Sequence, residues 1–184
     1  MSWLAKRNGP VDILIRVNAG ALPTSHWALD PSEGGGRLVG EGCHFLDLAA
    51  FLAGSPGRVV AASSTGLHAV SDVESNLTIV MSFLDGSRAT ICYGSLGHRE
   101  LPKERVEVSW DGRSVVIDDF RKLECYGVGG GRKARTQDKG IAAHFENFVS
   151  ALRGEEDLVA PVTVGLQVAE RIEEARALLG REVG

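Results

Sequence analysis

The chain has 184 residues with 43% hydrophobic and 24% charged side chains and a net charge of -4, the profile of an ordinary globular domain with its own core. No basic stripe is present to neutralise a phosphate backbone, which argues against nucleic acid. No apolar run approaches the ~20 residues of a membrane span, and the opening MSWLAKRNGP lacks the apolar stretch of a signal peptide. Cys43, Cys92 and Cys125 are odd in number and far apart, without CxxC spacing. They read as reduced thiols in a cytoplasmic protein, mostly buried.

In chain order, Val11 to Gly20 (VDILIRVNAG) is rich in β-branched residues and reads as a strand. The following ALPTSHWALDPSE, with its prolines, Ser and Asp, reads as a loop. From Gly36 the period changes. Leu38, Val39, Gly42, Phe45, Leu46, Ala49, Leu52 and Ala53 recur at steps of three and four, which predicts an amphipathic helix ended by GSPG.

The middle of the chain is a series of short β-rich runs: RVVAASST, SNLTIVMSFL, RATICYGS, RVEVSW, RSVVIDDF and KLECYGV. Asp-Gly in LDGS and WDGR marks hairpins. In SNLTIVMSFL, Leu77, Ile79, Met81 and Phe83 share one face. The other face (Asn76, Thr78, Val80, Ser82 and Leu84) is half apolar, suited to a sheet-face dimer. GVGGGRKARTQ reads as a flexible basic loop.

Two helices close the chain. The first, over Asp138 to Gly154, puts Ile141, Phe145, Phe148, Val149 and Leu152 on one face, with Gly154 as its C-cap. The second, over Pro161 to Gly180, does the same with Val164, Val168, Ile172, Ala175 and Leu179. This order predicts one α+β domain over residues 1–184: a mostly antiparallel or mixed sheet of about six strands with helices on one face.

The segment GGGRLVGEGCHFLD, Gly34 to Asp47, concentrates the chemistry. Its spacing fits neither GxGxxG nor GxxxxGK[ST], and no GxGxxG occurs elsewhere, so the chain holds no recognisable dinucleotide-binding half. Glycines at a helix start nevertheless let a ligand approach free N–H groups, or else serve a tight loop packed on backbone. Glu41 and His44, three apart, share a helical side. A carboxylate can then set the tautomer of a histidine that exchanges protons near neutral pH. The same residues also fit an ordinary polar face with an Arg37–Glu41 ion pair. Cys43 and His44 diverge by about 100° around a helix and do not share a metal ion. His26, His68, His98 and His144 show no paired metal spacing.

Arg16 and Asn18 lie on one face of the first strand and suit hydroxyl binding or a wet sheet face. His26-Trp27 offers an aromatic plane for a sugar, or a loop anchor. Lys139 sits at a helix start, and Lys103, Glu104 and Arg105 read as surface charge.

GGGRLVGEGCHFLDLAAFLAGSP resembles the first helix of the C-terminal domain of Gfo/Idh/MocA-type oxidoreductases, a dihydrodipicolinate-reductase-like α+β domain. RVNAGALPTSHWALDP, LPKERVEVSWDGRSVVIDDFRKLECYG and QDKGIAAHFENFVSALRG resemble a narrower branch, fused to an alcohol-dehydrogenase-like module and linked to surface-polysaccharide synthesis. The resemblance spans about Val11 to Leu179.

It implies a substrate-binding and oligomerisation domain of an enzyme acting on a secondary alcohol or ketone of a sugar, nucleotide sugar or polyol. His44 and Glu41 would be catalytic, with Arg16, Asn18, His26, Trp27 and Lys139 at the substrate and Gly35 and Gly36 at the cofactor. NAD or NADP would be held mainly by an N-terminal Rossmann domain outside this chain, without which the chain would be inactive, and the sheet face would form a homodimer. The family's Asp position is Gly40 here, with Glu41 the nearest carboxylate, and the family's Glu-Lys-Pro motif is missing. The alternative reading is a non-catalytic dimerisation or ligand-binding module.

Overall fold

A computed structural model describes residues 4–23, 25–30, 32–65 and 73–182; His68 lies outside the described residues. Among the described residues, eight strands form one sheet in the order β2-β3-β4-β1-β5-β6-β7-β8. They are β1 Asp12–Asn18, β2 Gly57–Ser64, β3 Leu77–Phe83, β4 Arg88–Gly94, β5 Glu104–Trp110, β6 Arg113–Asp118, β7 Lys122–Tyr126 and β8 Arg132–Lys133. The helices are α1, whose π-helical start Leu38–Gly42 runs into Cys43–Ala53, α2 Ile141–Leu152 and α3 Val162–Glu182.

The expected sheet of about six strands has eight. The opening strand joins the middle of the sheet, and two residues of the basic loop pair with β7 as β8. β1 runs parallel to β4 and antiparallel to β5. A parallel neighbour needs a crossover, and α1, β2 and β3 supply it. Elsewhere the ladder is antiparallel, and both hairpin signals are met. Asp85 and Gly86 turn β3 into β4. Asp111 (φ 44°) and Gly112 (φ 71°) join β5 to β6, both left-handed as a type I′ turn requires.

The two sheet faces differ sharply. Ile13, Ile15 and Val17 of β1, Leu77, Ile79, Met81 and Phe83 of β3, and Ala89, Ile91 and Tyr93 of β4 are buried in one core with α1 and α3. The other face carries charge pairs: Asp12–Arg88, Arg105–Glu107 and Lys122–Glu124. α1 buries Phe45, Leu46, Ala49, Leu52 and Ala53 and stops at Gly54 (φ 61°), where a left-handed residue ends a helix at least cost. The three cysteines are free and half-buried. Among the described residues, no helix is long and apolar enough to cross a membrane.

α2 departs from expectation. Its predicted apolar face is exposed, and its one buried residue is Asn147. The Asn147 side chain donates to the Asp157 carbonyl and accepts from the Val159 N–H, so α2 is tied to the loop before α3.

Candidate active site

Four segments meet at one end of the sheet: the C-terminal ends of β1 and β4, the entrance to β5, and the start of α1. The Ala19 N–H donates to the Gly94 carbonyl, joining the two parallel strands where they end. The Arg37 guanidinium donates to the Gly20 carbonyl and sits 5.3 Å from the centroid of the Tyr93 ring. Arg37 is buried, and its Nε has no hydrogen-bond partner among the described residues.

Glu41 lies in the middle of this cluster. It accepts hydrogen bonds from the Tyr93 hydroxyl and the Lys103 ammonium. Burial pushes its carboxyl upward, but Lys103 and Tyr93 outweigh burial and hold it below the usual carboxylate range. Burial and the adjacent Glu41 push the Tyr93 phenol far upward, so it stays a neutral donor. Glu104, 3.9 Å from Lys103, is shifted the other way: burial raises it, Asp119 and Glu41 add to that, and Lys103 opposes.

The expected contact between Glu41 and His44 is absent from the hydrogen bonds of the described residues. The i,i+3 rule assumes an α-helix, and Leu38–Gly42 is π-helical, with the Cys43 N–H reaching back to the Leu38 carbonyl. One extra residue in a helical turn rotates the rest of the helix by about 100°. Glu41 therefore serves the sheet side. His44 is exposed and, with Asp47, lines a groove of about 590 Å³ between α1 and α3 whose apolar walls include Val39, Val162, Leu166 and Val168. The Arg37–Glu41 ion pair is likewise not among the described salt bridges, because Arg37 is turned to Gly20 and Tyr93.

The glycines at the helix start have an internal partner. Gly35 and Gly36 adopt φ of 70° and 85°. A Cβ on Gly36 would lie 2.1 Å from Glu74 Oε2, the oxygen that accepts from the Leu38 N–H. The other Glu74 oxygen accepts from Arg176 of α3, which also donates to the Gly35 carbonyl. A ligand anion here would compete with Glu74, so the tight-loop reading accounts for both glycines.

Of the other expected site residues, Arg16 and Asn18 lie on the sheet face away from α1, since Ile15 and Val17 point into the core. They hold the β4–β5 connection. Arg16 donates to the Pro102 carbonyl, and Asn18 to those of His98 and Leu101. His26 caps the short helical turn Trp27–Leu29 through its Nδ1 and stacks on Trp27, ring centroids 5.7 Å apart. Trp27 is 57% exposed and packs beside Gly34, next to the helix start. Lys139 is exposed ahead of α2 and, among the described residues, forms no ion pair with this cluster. The structure thus brings Glu41, Arg37 and the end of β1 together, and leaves Arg16 and Asn18 on the sheet face away from α1 and His44.

Tyr93, Lys103, Glu74 and Arg176 were not singled out as site residues from sequence. Only Tyr93 carried a signal: a hydroxyl at an inward position of a strand needs a buried partner. Among the described residues, no group of three His, Cys, Asp or Glu side chains could hold a metal ion.

Residues 10–115 match the GFO/IDH/MocA C-terminal domain. The chain belongs to this family. No curated protein matches the sequence.

Among solved structures, the chain is similar to UDP-N-acetylglucosamine 3-dehydrogenase GnnA from Acidithiobacillus ferrooxidans, with 20% identity, TM-score 0.74, and 97% of this chain and 56% of that one covered. It is also similar to aldose-aldose oxidoreductase from Caulobacter crescentus, with 19% identity, TM-score 0.77, and 95% and 55% covered. A third is the WlbA dehydrogenase from Bordetella pertussis in complex with NADH and UDP-GlcNAcA, with 16% identity, TM-score 0.71, and 96% and 55% covered. At these identities the likeness shows the fold. The chain spans little more than half the length of each.

Proposed function

We propose that the chain is the substrate-side half of an NAD(P)-dependent oxidoreductase acting on a secondary alcohol or ketone of a sugar, nucleotide sugar or polyol. The observation that carries this reading is the placement of His44, exposed in the α1–α3 groove, within the segment that matches the GFO/IDH/MocA C-terminal domain. The names of the solved relatives, among them a UDP-sugar dehydrogenase and an aldose-aldose oxidoreductase, support the sugar class.

A nicotinamide cofactor supplies or removes hydride at the carbinol carbon. The described residues offer its phosphates no cradle: no GxGxxG is present, and the start of α1 is taken by Glu74. Cofactor binding is therefore assigned to an N-terminal dinucleotide-binding domain, and this chain alone is inactive.

On this chain, neutral His44 accepts the hydroxyl proton as an alcohol is oxidised, and protonated His44 returns it in the reverse direction. Glu41 is a positioning residue. Pinned by Tyr93 and Lys103, it holds the π turn against β4 and β5 and so fixes where His44 emerges. Trp27 and His26 present an aromatic plane to a sugar ring near the start of α1. Arg16 and Asn18 act indirectly by shaping the β4–β5 connection. The charge-paired sheet face, with Leu14 and Val80 between the charges, is the surface proposed for a homodimer.

The test is a turnover screen of the polypeptide that joins this chain to its dinucleotide-binding half, using UDP-sugars, aldoses and polyols with NAD+ and NADP+. Oxidation of at least one sugar-class alcohol is expected. NADH should bind that polypeptide and not the 184-residue chain, and tight binding by the short chain would overturn the division of labour. NADH binding with no turnover of any carbohydrate would favour the non-catalytic module.

A further inference from the structure

Two glycines flank Glu41 in the wide turn that opens α1, as Gly40–Glu41–Gly42. Glycine inside a helix costs up to about 1 kcal/mol relative to alanine, so this turn is the least firmly wound part of α1. It is also π-helical, with one residue more than an α turn, a form that recurs at functional sites. Glu41 ties it to the sheet through Lys103 and Tyr93. Rewound as a plain α-helix, the same turn would carry Glu41 round to the side of His44, three residues on.

We propose that Lys103 is a positioning residue for proton transfer at His44: by holding Glu41 on the sheet side, it keeps a further carboxylate away from the imidazole. This rests on the role given to His44 above.

Lys103 is itself fixed in place. Its carbonyl accepts from the Asn18 N–H, and Arg16 donates twice to the carbonyl of the preceding Pro102. The Asn18 side chain holds His98 and Leu101, and a Cβ on Gly97 would lie 2.1 Å from Asn18 Oδ1. The end of β1 therefore templates the β4–β5 connection and delivers the ammonium to Glu41.

The surroundings of His44 make Glu41 the variable. Among the described residues, its groove presents Cys43 and Asp47 from α1 and no titratable side chain from α3. Asp47 belongs to the α-helical part of α1 and keeps its place whichever way the turn before it is wound. Glu41 does not. A carboxylate beside an imidazole favours the protonated ring, whereas the ring that accepts a hydroxyl proton is neutral. Lys103 thus acts on the protonation of His44 through Glu41.

The experiment is a histidine titration by NMR on the 184-residue chain, with the His44 signal identified by its loss in His44→Asn. The expected result is a His44 midpoint raised by about half a unit to one unit in Lys103→Met and unchanged in Lys103→Arg. In a Glu41→Gln background, Lys103→Met should move it by less than about 0.2 units, the size of an uncoupled effect. An unmoved midpoint in folded Lys103→Met would overturn the proposal. So would an equal rise in both backgrounds, because the cation would then act on His44 directly through its charge. The Lys103 side chain is 45% exposed, so its replacement leaves the core intact, and Lys103→Gln stands in should Lys103→Met fail to fold. The titration reads no turnover. A failure of the oxidoreductase reading would show separately, in the carbohydrate screen.

Discussion

α3 and α2 have equally regular apolar stripes and opposite fates. Ile172, Ala175 and Leu179 of α3 are 7%, 0% and 5% exposed, packed with α1 and the sheet in one core. Phe145 and Leu152 of α2, at equivalent spacing, stand in water. α3 is also held by polar contacts: Glu174 accepts from the Val59 N–H, and Arg176 reaches Glu74 and Gly35. α2 has the loop contacts of Asn147. Helical periodicity thus specifies a face, while the elements that remain available decide what covers it. Within this chain α1 and α3 already cover the inner sheet face at β1, β2 and β4.

The largest expected effect sharpens that contrast. Leu179→Ala on α3 should destabilise the chain by about 2–4 kcal/mol, the cost of a buried Leu truncation, while Phe145→Ala on α2 should stay within about 0.5 kcal/mol. Denaturant midpoints of the two variants check this, and similar losses would mean that α2 is packed like α3.

Next is the clamp between α3 and the start of α1. Gly36→Ala forces a Cβ against the Glu74 carboxylate at a positive φ and should cost roughly 1–3 kcal/mol. The same substitution at Gly40, whose Cβ would meet nothing within 4 Å and whose φ is not positive, should be neutral or stabilising by up to about 1 kcal/mol. Thermal melts of both variants decide it. A destabilised Gly40→Ala would show that the open position is already filled.

A smaller effect separates the two carboxylates beside Lys103 by their pH dependence. Glu41 is lowered on folding, so its contribution is present above the ordinary carboxylate pKa of about 4.3 and is lost as pH falls through the folded value. Glu104 is raised, so its contribution is present below about pH 4.3 and is lost as pH rises through its folded value. At pH 7, Glu41→Gln should therefore destabilise, by about 1 kcal/mol for a weakened charge-assisted bond, and Glu104→Gln should not. Urea titrations at about pH 7 and about pH 4 read both signs, and losses of the same sign at neutral pH would contradict the assignment.

The sequence made some of this plain and hid the rest for physical reasons. The α1 stripe, its Gly54 stop, the Asp-Gly hairpins and the buried side of β3 follow from local periodicity and turn chemistry, and the structure has them all. The parallel pairing of β1 with β4 depends on contacts between segments far apart in the chain, which no local pattern records.

In the site, the family resemblance pointed to α1. The π turn then broke the α-helical spacing that would have joined Glu41 to His44. Strand alternation put Arg16 and Asn18 on one face but could not say that α1 would cover the other. Lys103 looked like surface charge because its partner, Glu41, is distant in sequence.

The most direct test of the role proposed for His44 is the pH profile of kcat for His44→Asn in the polypeptide that joins this chain to its proposed dinucleotide-binding half, measured on a substrate that the turnover screen identifies. Loss of a general acid–base should lower kcat by about 10²–10⁴-fold and remove the limb of the profile that reports its ionisation, with the fold unchanged by circular dichroism. A variant with wild-type kcat and an unaltered profile would contradict the role given to His44.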